Sequence, residues 1–192
     1  MNLNKYERIE KVRLLGLNTE ENILVKPDSK SIIYQTFLKD LDKCSIRTFR
    51  NDEHNVPHYP ILTKEEALNI IPILQKQEYN CIVATPIDPK DCEFAGACLK
   101  TIDELIIEIA DGPGTVRRVT HESKIDRSYT IPIYSIQKTS DLKVNQCIAK
   151  FKNVYLNNII FEFSWYKIPV GYNYENFICW EVTDDGTKKS GL

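Results

Sequence analysis

The stretch Asn158-Ile159-Ile160-Phe161-Glu162-Phe163-Ser164-Trp165 is an apolar run with one carboxylate in its interior, and Phe177-Ile178-Cys179-Trp180-Glu181-Val182 repeats that pattern a short distance later. Both runs are rich in isoleucine, phenylalanine and tryptophan, which favour β-strands. The connection between them contains Pro169, Gly171 and Asn173, which are residues typical of turns. We therefore expect two antiparallel strands joined as a hairpin-like pair.

Each run places one glutamate, Glu162 or Glu181, among apolar neighbours. A buried carboxylate without a partner costs free energy or becomes protonated. If the two carboxylates converge, they can hold one Mg²⁺, which binds carboxylate oxygens together with the phosphates of a substrate. The alternative is that both side chains lie on the solvent face of half-buried strands. The pattern alone leaves both interpretations open.

Length and composition are those of an ordinary globular protein, with 192 residues, 42% hydrophobic and 27% charged. The formal net charge of −2 provides no field that attracts nucleic acid or an anionic membrane, so neither is an expected partner. The first residues contain no apolar segment that directs export, and no apolar stretch is long enough to span a bilayer. We therefore expect neither Sec-type export nor a membrane span.

The 6 cysteines bear on the cellular compartment. None belongs to a Cys-x-x-Cys pair, and several lie inside apolar runs such as residues 80–83. Free cysteine in such a run behaves as a small hydrophobic residue. Reduced thiols are the rule in the cytosol, so we expect a cytoplasmic protein without disulfides or a zinc site.

Helical and strand patterns alternate with turn residues along the chain. Helices are expected near residues 5–15, 64–77 and 141–155, and strands near residues 22–25, 45–49, 79–85, 94–100, 105–110, 116–121 and 129–134. Residues 50–60 are polar, contain two prolines and are expected to form a loop. This order predicts an α+β fold, with an antiparallel sheet and flanking helices. It divides into an N-terminal α/β subdomain of residues 1–78 and a β-rich subdomain of residues 79–192, or forms one compact domain.

Several short motifs, in their order along the chain, resemble the ATP-grasp nucleotide-binding domain of the phosphoenolpyruvate synthase and pyruvate phosphate dikinase group. Lys5, a helix and residues 16–18 (Gly-Leu-Asn) are similar to the opening of that domain. Residues 45–48 (Ser-Ile-Arg-Thr) resemble its strand with a phosphate-binding arginine, and residues 82–87 correspond to its hinge strand.

The resemblance continues through the second half of the chain. Residues 94–97 (Phe-Ala-Gly-Ala) are similar to a Ser-Gly-Val strand of the family, and residues 106–114 to its Ile-Glu strand with the Gly-Leu-Gly turn that follows. Residues 161–163 (Phe-Glu-Phe) look like the metal-ligand strand, and residues 180–182 (Trp-Glu-Val) stand where the family has its final Gln or Glu. Because the motifs cover nearly the whole chain, the resemblance implies an ATP-grasp-like fold that binds ATP and Mg²⁺.

This resemblance implies a role for each candidate residue. Phosphates would be held by Lys5 and Arg47, the base by backbone groups at Val83 and Thr85, and the metal by Glu162 and Glu181. Arg47 has an alternative, because a guanidinium on a strand can also pair with a carboxylate at the edge of a core. Lys5 stands near a helix start, where the dipole disfavours a cation, and its alternative is a solvent-exposed side chain.

Glu108 is a further candidate for contact with the nucleotide. It lies in the run of residues 105–109 (Leu-Ile-Ile-Glu-Ile), whose alternation places it on the face opposite to its immediate neighbours. The competing interpretation is an ion pair with Arg117 or Arg118 on the following segment. We expect the ion pair.

The segment of residues 50–60 contains no glycine, although a glycine-rich phosphate loop follows the arginine strand in the resembled family. Phosphoryl-transfer sites use such flexible backbone to wrap phosphates. We therefore expect purine nucleotide binding without robust phosphoryl transfer. The alternatives are a non-catalytic binding or interaction module of the same fold, with a protein partner, and an unrelated α+β protein whose carboxylates are structural.

Overall fold

The computed structural model describes residues 3–50, 56–114, 116–136 and 138–184. The helices and strands follow one another as α1 (Lys5–Leu14), β1 (Asn22–Val25), α2 (Ser31–Leu38), β2 (Lys43–Phe49), β3 (His58–Thr63), α3 (Lys64–Lys76), β4 (Asn80–Ala84), β5 (Cys92–Lys100), β6 (Glu104–Asp111), α4 (Arg117–Thr120), β7 (Arg127–Pro132), α5 (Leu142–Asn153), β8 (Ile159–Val170) and β9 (Glu175–Asp184). The α+β class expected from the sequence is confirmed.

The chain divides into two compact units. The first contains Asn4–Tyr6 and Glu20–Ile87, and the second contains Met1–Leu3, Glu7–Thr19 and Asp88–Leu192. The strand β4 belongs to the first unit, which ends at Ile87. Within the described ranges, no helix is long and apolar enough to cross a membrane.

The first unit is built on a four-stranded antiparallel sheet in the order β1-β4-β2-β3. The helix α3 begins at a capping box, in which the side chains of Thr63 and Glu66 each accept a hydrogen bond from the other residue's backbone N–H. One cluster of buried side chains joins α2, α3 and all four strands: Val25, Tyr34, Leu38, Cys44, Ile46, Leu62, Ala67, Ile71, Leu74, Cys81 and Val83. The two helices therefore bury one face of this sheet.

The second unit is built on a five-stranded antiparallel sheet in the order β7-β6-β5-β8-β9. The helix α5 packs on one face of it through Phe151, whose ring centroid lies 4.7 Å from that of Phe161, 5.1 Å from that of Phe163 and 5.7 Å from that of Phe177. These aromatic contacts form the centre of the larger core. The opposite face of the sheet is not covered by α5.

Residues 117–120 form the short helix α4, where the sequence pattern predicts a strand. Arg118 provides the physical reason, because its guanidinium donates hydrogen bonds to the backbone carbonyls of residues 110–112 and holds the segment beside the end of β6. Val119 then packs against the sheet near Ala97. The alternation of polar and apolar residues in this segment suggested a strand, but in the structure residues 117–120 form one helical turn with Val119 buried.

The last residues of the segment expected to be a loop, residues 50–60, form part of a strand. His58 to Pro60 begin β3, which is an edge strand of the first sheet. Proline is tolerated at an edge because its missing N–H is not needed by a neighbouring strand. The prediction of a glycine-free loop concerns residues 51–55 above all, and these lie outside the described residues.

Candidate metal and phosphate sites

Three glutamates of the second unit lie in one row across its sheet. Glu162 on β8 stands directly opposite Glu181 on β9, and on its other side opposite Ala97 on β5. Ala97 in turn stands opposite Glu108 on β6. Directly opposed residues project to the same face. All three carboxylates therefore lie on the face that α5 does not cover, since Phe161 and Phe163 on either side of Glu162 belong to the core.

A β-bulge at Trp180 determines the face of the sheet to which the Glu181 side chain projects. Glu181 is opposite Glu162 while Cys179 is opposite Phe163, so one extra residue is inserted in β9. Without the insertion, regular alternation would place Glu181 on the core face with Cys179. The indole Nε1 of Trp180 donates a hydrogen bond to Ser164 Oγ at 2.9 Å on the same face. The bulge thus brings the two carboxylates together.

The pair of carboxylates is partly buried and has polar neighbours. The Glu181 side chain is 17% exposed, and its Oε2 lies 3.4 Å from Nη1 of Arg8 on α1. Thr183, two residues further along β9, projects to the same face and is 5% exposed. Its buried hydroxyl has no hydrogen-bond partner within the described part of the chain. Thr183 was not a candidate in the sequence, because a threonine in a strand carries no signal of its own.

Glu108 does not form the expected ion pair. Arg118 donates to backbone carbonyls, and Arg117 has no ion pair with Glu108 within the described residues. Burial raises the pKa of the Glu108 carboxyl above its usual range. Glu108 and Glu162 are separated by β5, a distance of about 10 Å at the usual strand spacing. Glu108 is therefore too far away to share one small cation with Glu162.

The residues present fit a magnesium ion that arrives with a phosphate ligand. Two adjacent carboxylates and one buried hydroxyl that has no partner among the described residues supply oxygen donors, which Mg²⁺ prefers. No group of three or more His, Cys, Asp or Glu side chains forms a metal cage in the ranges that the structure describes. Magnesium is usually held by one or two carboxylates and substrate phosphates, without a full protein cage.

Arg47 in the first unit lies on β2 and forms an ion pair with Glu20. Its side chain is 15% exposed and that of Glu20 is 5% exposed. Asn22 Nδ2 donates a further hydrogen bond to the same Glu20 Oε1 at 3.3 Å. This arrangement matches the alternative in which the arginine pairs with a carboxylate at the edge of the core. Glu20 was missed in the sequence because it stands in a polar connection, and only the fold buries it.

Two more basic groups lie near this ion pair. His58 on β3 stands directly opposite Arg47. The pKa of His58 is lowered by partial burial and by the positive charges of Lys5 and Arg47, so these three groups share one neighbourhood. Lys5 is half-buried at the start of α1 and not fully exposed to solvent. The first unit therefore brings three basic side chains, Lys5, Arg47 and His58, into one neighbourhood, which is a surface suited to an anion.

The two candidates for the base lie on and after β4. Val83 is fully buried and is paired with Ile23 on β1 and Ile46 on β2. Its backbone therefore lies between two neighbouring strands of the sheet. Thr85 follows the strand, and its N–H donates to the carbonyl of Glu21 at 2.9 Å. Its buried hydroxyl has no partner in the described ranges. Thr85 is therefore better placed than Val83 to meet a ligand.

No protein-family model matches this chain, and no curated protein matches it. Solved structures do share its fold. The macrocyclase MdnC of Microcystis aeruginosa, solved with the precursor peptide MdnA, is 15% identical over 97% of this chain and 53% of its own, with a TM-score of 0.52. The D-alanine-D-alanine ligase of Coxiella burnetii is 15% identical over 94% of this chain and 47% of its own, with a TM-score of 0.56.

The N5-carboxyaminoimidazole synthetase of Staphylococcus aureus is 12% identical over 94% of this chain and 43% of its own, with a TM-score of 0.54. The chain thus spans about half the length of the solved structures that it resembles. At these identities the likeness concerns the fold and not the activity. The chain has the ATP-grasp-like α+β fold that it shares with these structures.

Proposed function

We propose that the protein binds a purine nucleotide, ATP in the first place, together with Mg²⁺. The observation that carries this proposal is the direct opposition of Glu162 and Glu181 on one sheet face. The buried hydroxyl of Thr183, two residues along β9 on that face, has no hydrogen-bond partner in the part of the chain that the structure describes. Magnesium bound there would neutralise the negative charge of the nucleotide phosphates. Glu162 and Glu181 would hold the ion, and their burial beside a packed core would keep them in position.

The basic cluster of the first unit supports phosphate binding. The positive charges of Lys5 and Arg47 both act on His58, and Arg47 also pairs with Glu20. Lys5 and Arg47 are our candidates for contact with phosphate oxygens, with His58 as a third basic group beside them. The hydroxyl of Thr85 is our candidate for contact with the base.

Catalysis by phosphoryl transfer is not part of this proposal. The glycine-free segment of residues 50–60 favours binding without robust transfer. The alternative is a non-catalytic binding or interaction module, and the precursor peptide bound to the macrocyclase MdnC makes a peptide or protein partner a reasonable candidate. Kinship to the phosphoenolpyruvate synthase and pyruvate phosphate dikinase group rests on the sequence motifs alone. The 6 reduced cysteines support a cytoplasmic location.

Thermal unfolding with ATP, ADP or GTP, each with and without Mg²⁺, tests the proposal. A ligand at about 100 times its Kd stabilises the native state by about 2.7 kcal/mol, which gives a clear rise in Tm. We expect such a rise with ATP and Mg²⁺ in the wild type, and its loss in Glu162→Gln. Asp184→Asn is the matched control, because Asp184 lies on β9 opposite Ile159 and not opposite a carboxylate. A wild type without a shift for any nucleotide supports the interaction module instead.

A further inference from the structure

We propose that Arg8 is a tethered cation that competes with a divalent metal ion for Glu181. The inference rests on the proposed function, because it concerns the same pair of carboxylates. Arg8 lies on α1 within the second unit, and its guanidinium is shared between two partners. Nε donates to the backbone carbonyl of Leu3 at 3.1 Å, and Nη1 lies 3.4 Å from Glu181 Oε2.

The contact between Arg8 and Glu181 is of a kind that a metal ion can displace. Charge-assisted hydrogen bonds between a guanidinium and a carboxylate are typically about 2.7–2.9 Å long, so 3.4 Å is a loose pair. The Arg8 side chain is 37% exposed and free to turn towards water, whereas the Glu181 side chain is only 17% exposed. The carboxylate therefore needs a counter-charge more than the guanidinium does.

Electrostatics gives the direction of the effect. Glu162 and Glu181 are directly opposed, and like charges in that position repel each other. Arg8 adds one positive charge beside the pair and relieves the repulsion when no metal is bound. The same positive charge opposes an incoming Mg²⁺, which must take the Glu181 oxygen from Arg8. Arg8 thus stabilises the metal-free protein and lowers its affinity for the metal.

The chain contains a matched control for this pair. Lys11, one turn further along α1, forms an ion pair with Asp184 on β9 at 2.9 Å. The two ion pairs join the same helix to the same strand. Asp184 stands opposite Ile159, however, so the partner of Lys11 is a carboxylate outside the pair of Glu162 and Glu181. A change at Lys11 tests the helix–strand contact without altering the competition.

The experiment is a titration with Mn²⁺, followed by the EPR signal of the free ion, on the full chain without nucleotide. We expect Arg8→Gln to bind Mn²⁺ roughly three- to tenfold more tightly than the wild type, which is the range expected from removing one partly exposed ion pair. Arg8→Lys keeps the charge and should bind like the wild type, and so should Lys11→Gln. In thermal unfolding, Arg8→Gln should melt below the wild type without metal and approach it at saturating Mg²⁺.

The possible failures separate the two proposals. If Arg8→Gln binds Mn²⁺ no more tightly than the wild type, while Glu162→Gln loses binding, the competition is wrong and the metal site stands. If Lys11→Gln tightens binding as much as Arg8→Gln, the effect belongs to loosening of α1 and the competition is again wrong. If neither the wild type nor Arg8→Gln binds Mn²⁺, the metal site itself is refuted together with the inference.

Discussion

Arg47 and Glu20 form an ion pair inside the first unit, and the Glu20 residue is only 4% exposed. Removal of one member of such a buried pair is strongly destabilising, because the other charge loses its direct partner. Asn22 adds one hydrogen bond to Glu20 but no charge. Arg47 thus stabilises the first unit at the candidate phosphate site, so its substitution should affect stability.

Arg47→Met should lower the free energy of unfolding by about 3–5 kcal/mol, the usual cost of breaking a buried ion pair from one side. Urea denaturation measures this change. The double variant Arg47→Met with Glu20→Leu removes both charges and should recover a large part of the loss. A single variant that costs less than about 1 kcal/mol would contradict the assignment.

Arg47→Ala is consequently a poor test of nucleotide binding, since a loss of binding would follow from loss of structure alone. Lys5→Gln is a cleaner change in the same neighbourhood. Because the charge of Lys5 helps to lower the pKa of His58, Lys5→Gln should raise that pKa towards the ordinary histidine value. An NMR titration of the His58 ring protons measures it. Lys76→Gln, on the last turn of α3, is the control.

The same titration reports on ligand binding. A phosphate beside Lys5 and His58 would favour the imidazolium, so ATP should raise the pKa of His58 in the wild type. Unchanged His58 resonances in the presence of ATP and Mg²⁺, under conditions where Tm rises, would place the phosphates elsewhere.

Glu108 gives a prediction about pH. Its folded-state pKa is raised by burial above the ordinary value of 4.5, so the native state holds this proton more tightly than the unfolded chain. The stability that the protonated form contributes is complete below pH 4.5 and is lost as the pH rises through the folded pKa. Glu108→Gln should therefore raise Tm relative to the wild type at about pH 7, and this advantage should vanish at about pH 4. An advantage that grows on acidification would show that Glu108 has a cationic partner.

Apart from β3, which begins inside the expected loop, the strands of both sheets could be predicted from the sequence because their signals are local. Runs of β-branched and aromatic residues and the turn residues between them stand next to one another in the chain. The helix α4 could not be predicted, since it depends on Arg118 reaching the carbonyls of residues 110–112. Nor could the placement of β4, which requires pairing with β1 and β2 over long separations.

The candidate site was predictable to a similar degree. Glu162 and Glu181 stood out as carboxylates within apolar strands. The two side chains lie on the same face of the sheet because of the bulge at Trp180, and this bulge could not be predicted from the local sequence. Glu20 and Arg8 could not be identified as candidates from the sequence, because each lies among polar residues. Their ion-pair partners, Arg47 and Glu181, are distant in the chain and are known only from the structure.

Lys100 on β5 is a buried lysine that caps the C-terminal end of the helix α5. It is 3% exposed, and its Nζ donates hydrogen bonds to the backbone carbonyls of Phe151, Lys152 and Val154. The last carbonyls of a helix have no partner within the helix, and a cation there also complements the helix dipole. Lys100 therefore joins β5 to the end of the helix that covers the main core.

Lys100→Met keeps the length of the side chain and removes its donors. It should lower the free energy of unfolding by about 2–4 kcal/mol, because several buried carbonyls lose their partner at once. Lys150→Met is the control on the same helix, since Lys150 pairs with Glu175 at 2.6 Å across a partly exposed surface and should cost less than about 1 kcal/mol. Chemical denaturation gives both values, and hydrogen exchange at the last turn of α5 should rise only in Lys100→Met. Equal losses in the two variants would mean that Lys100 contributes charge alone and no cap.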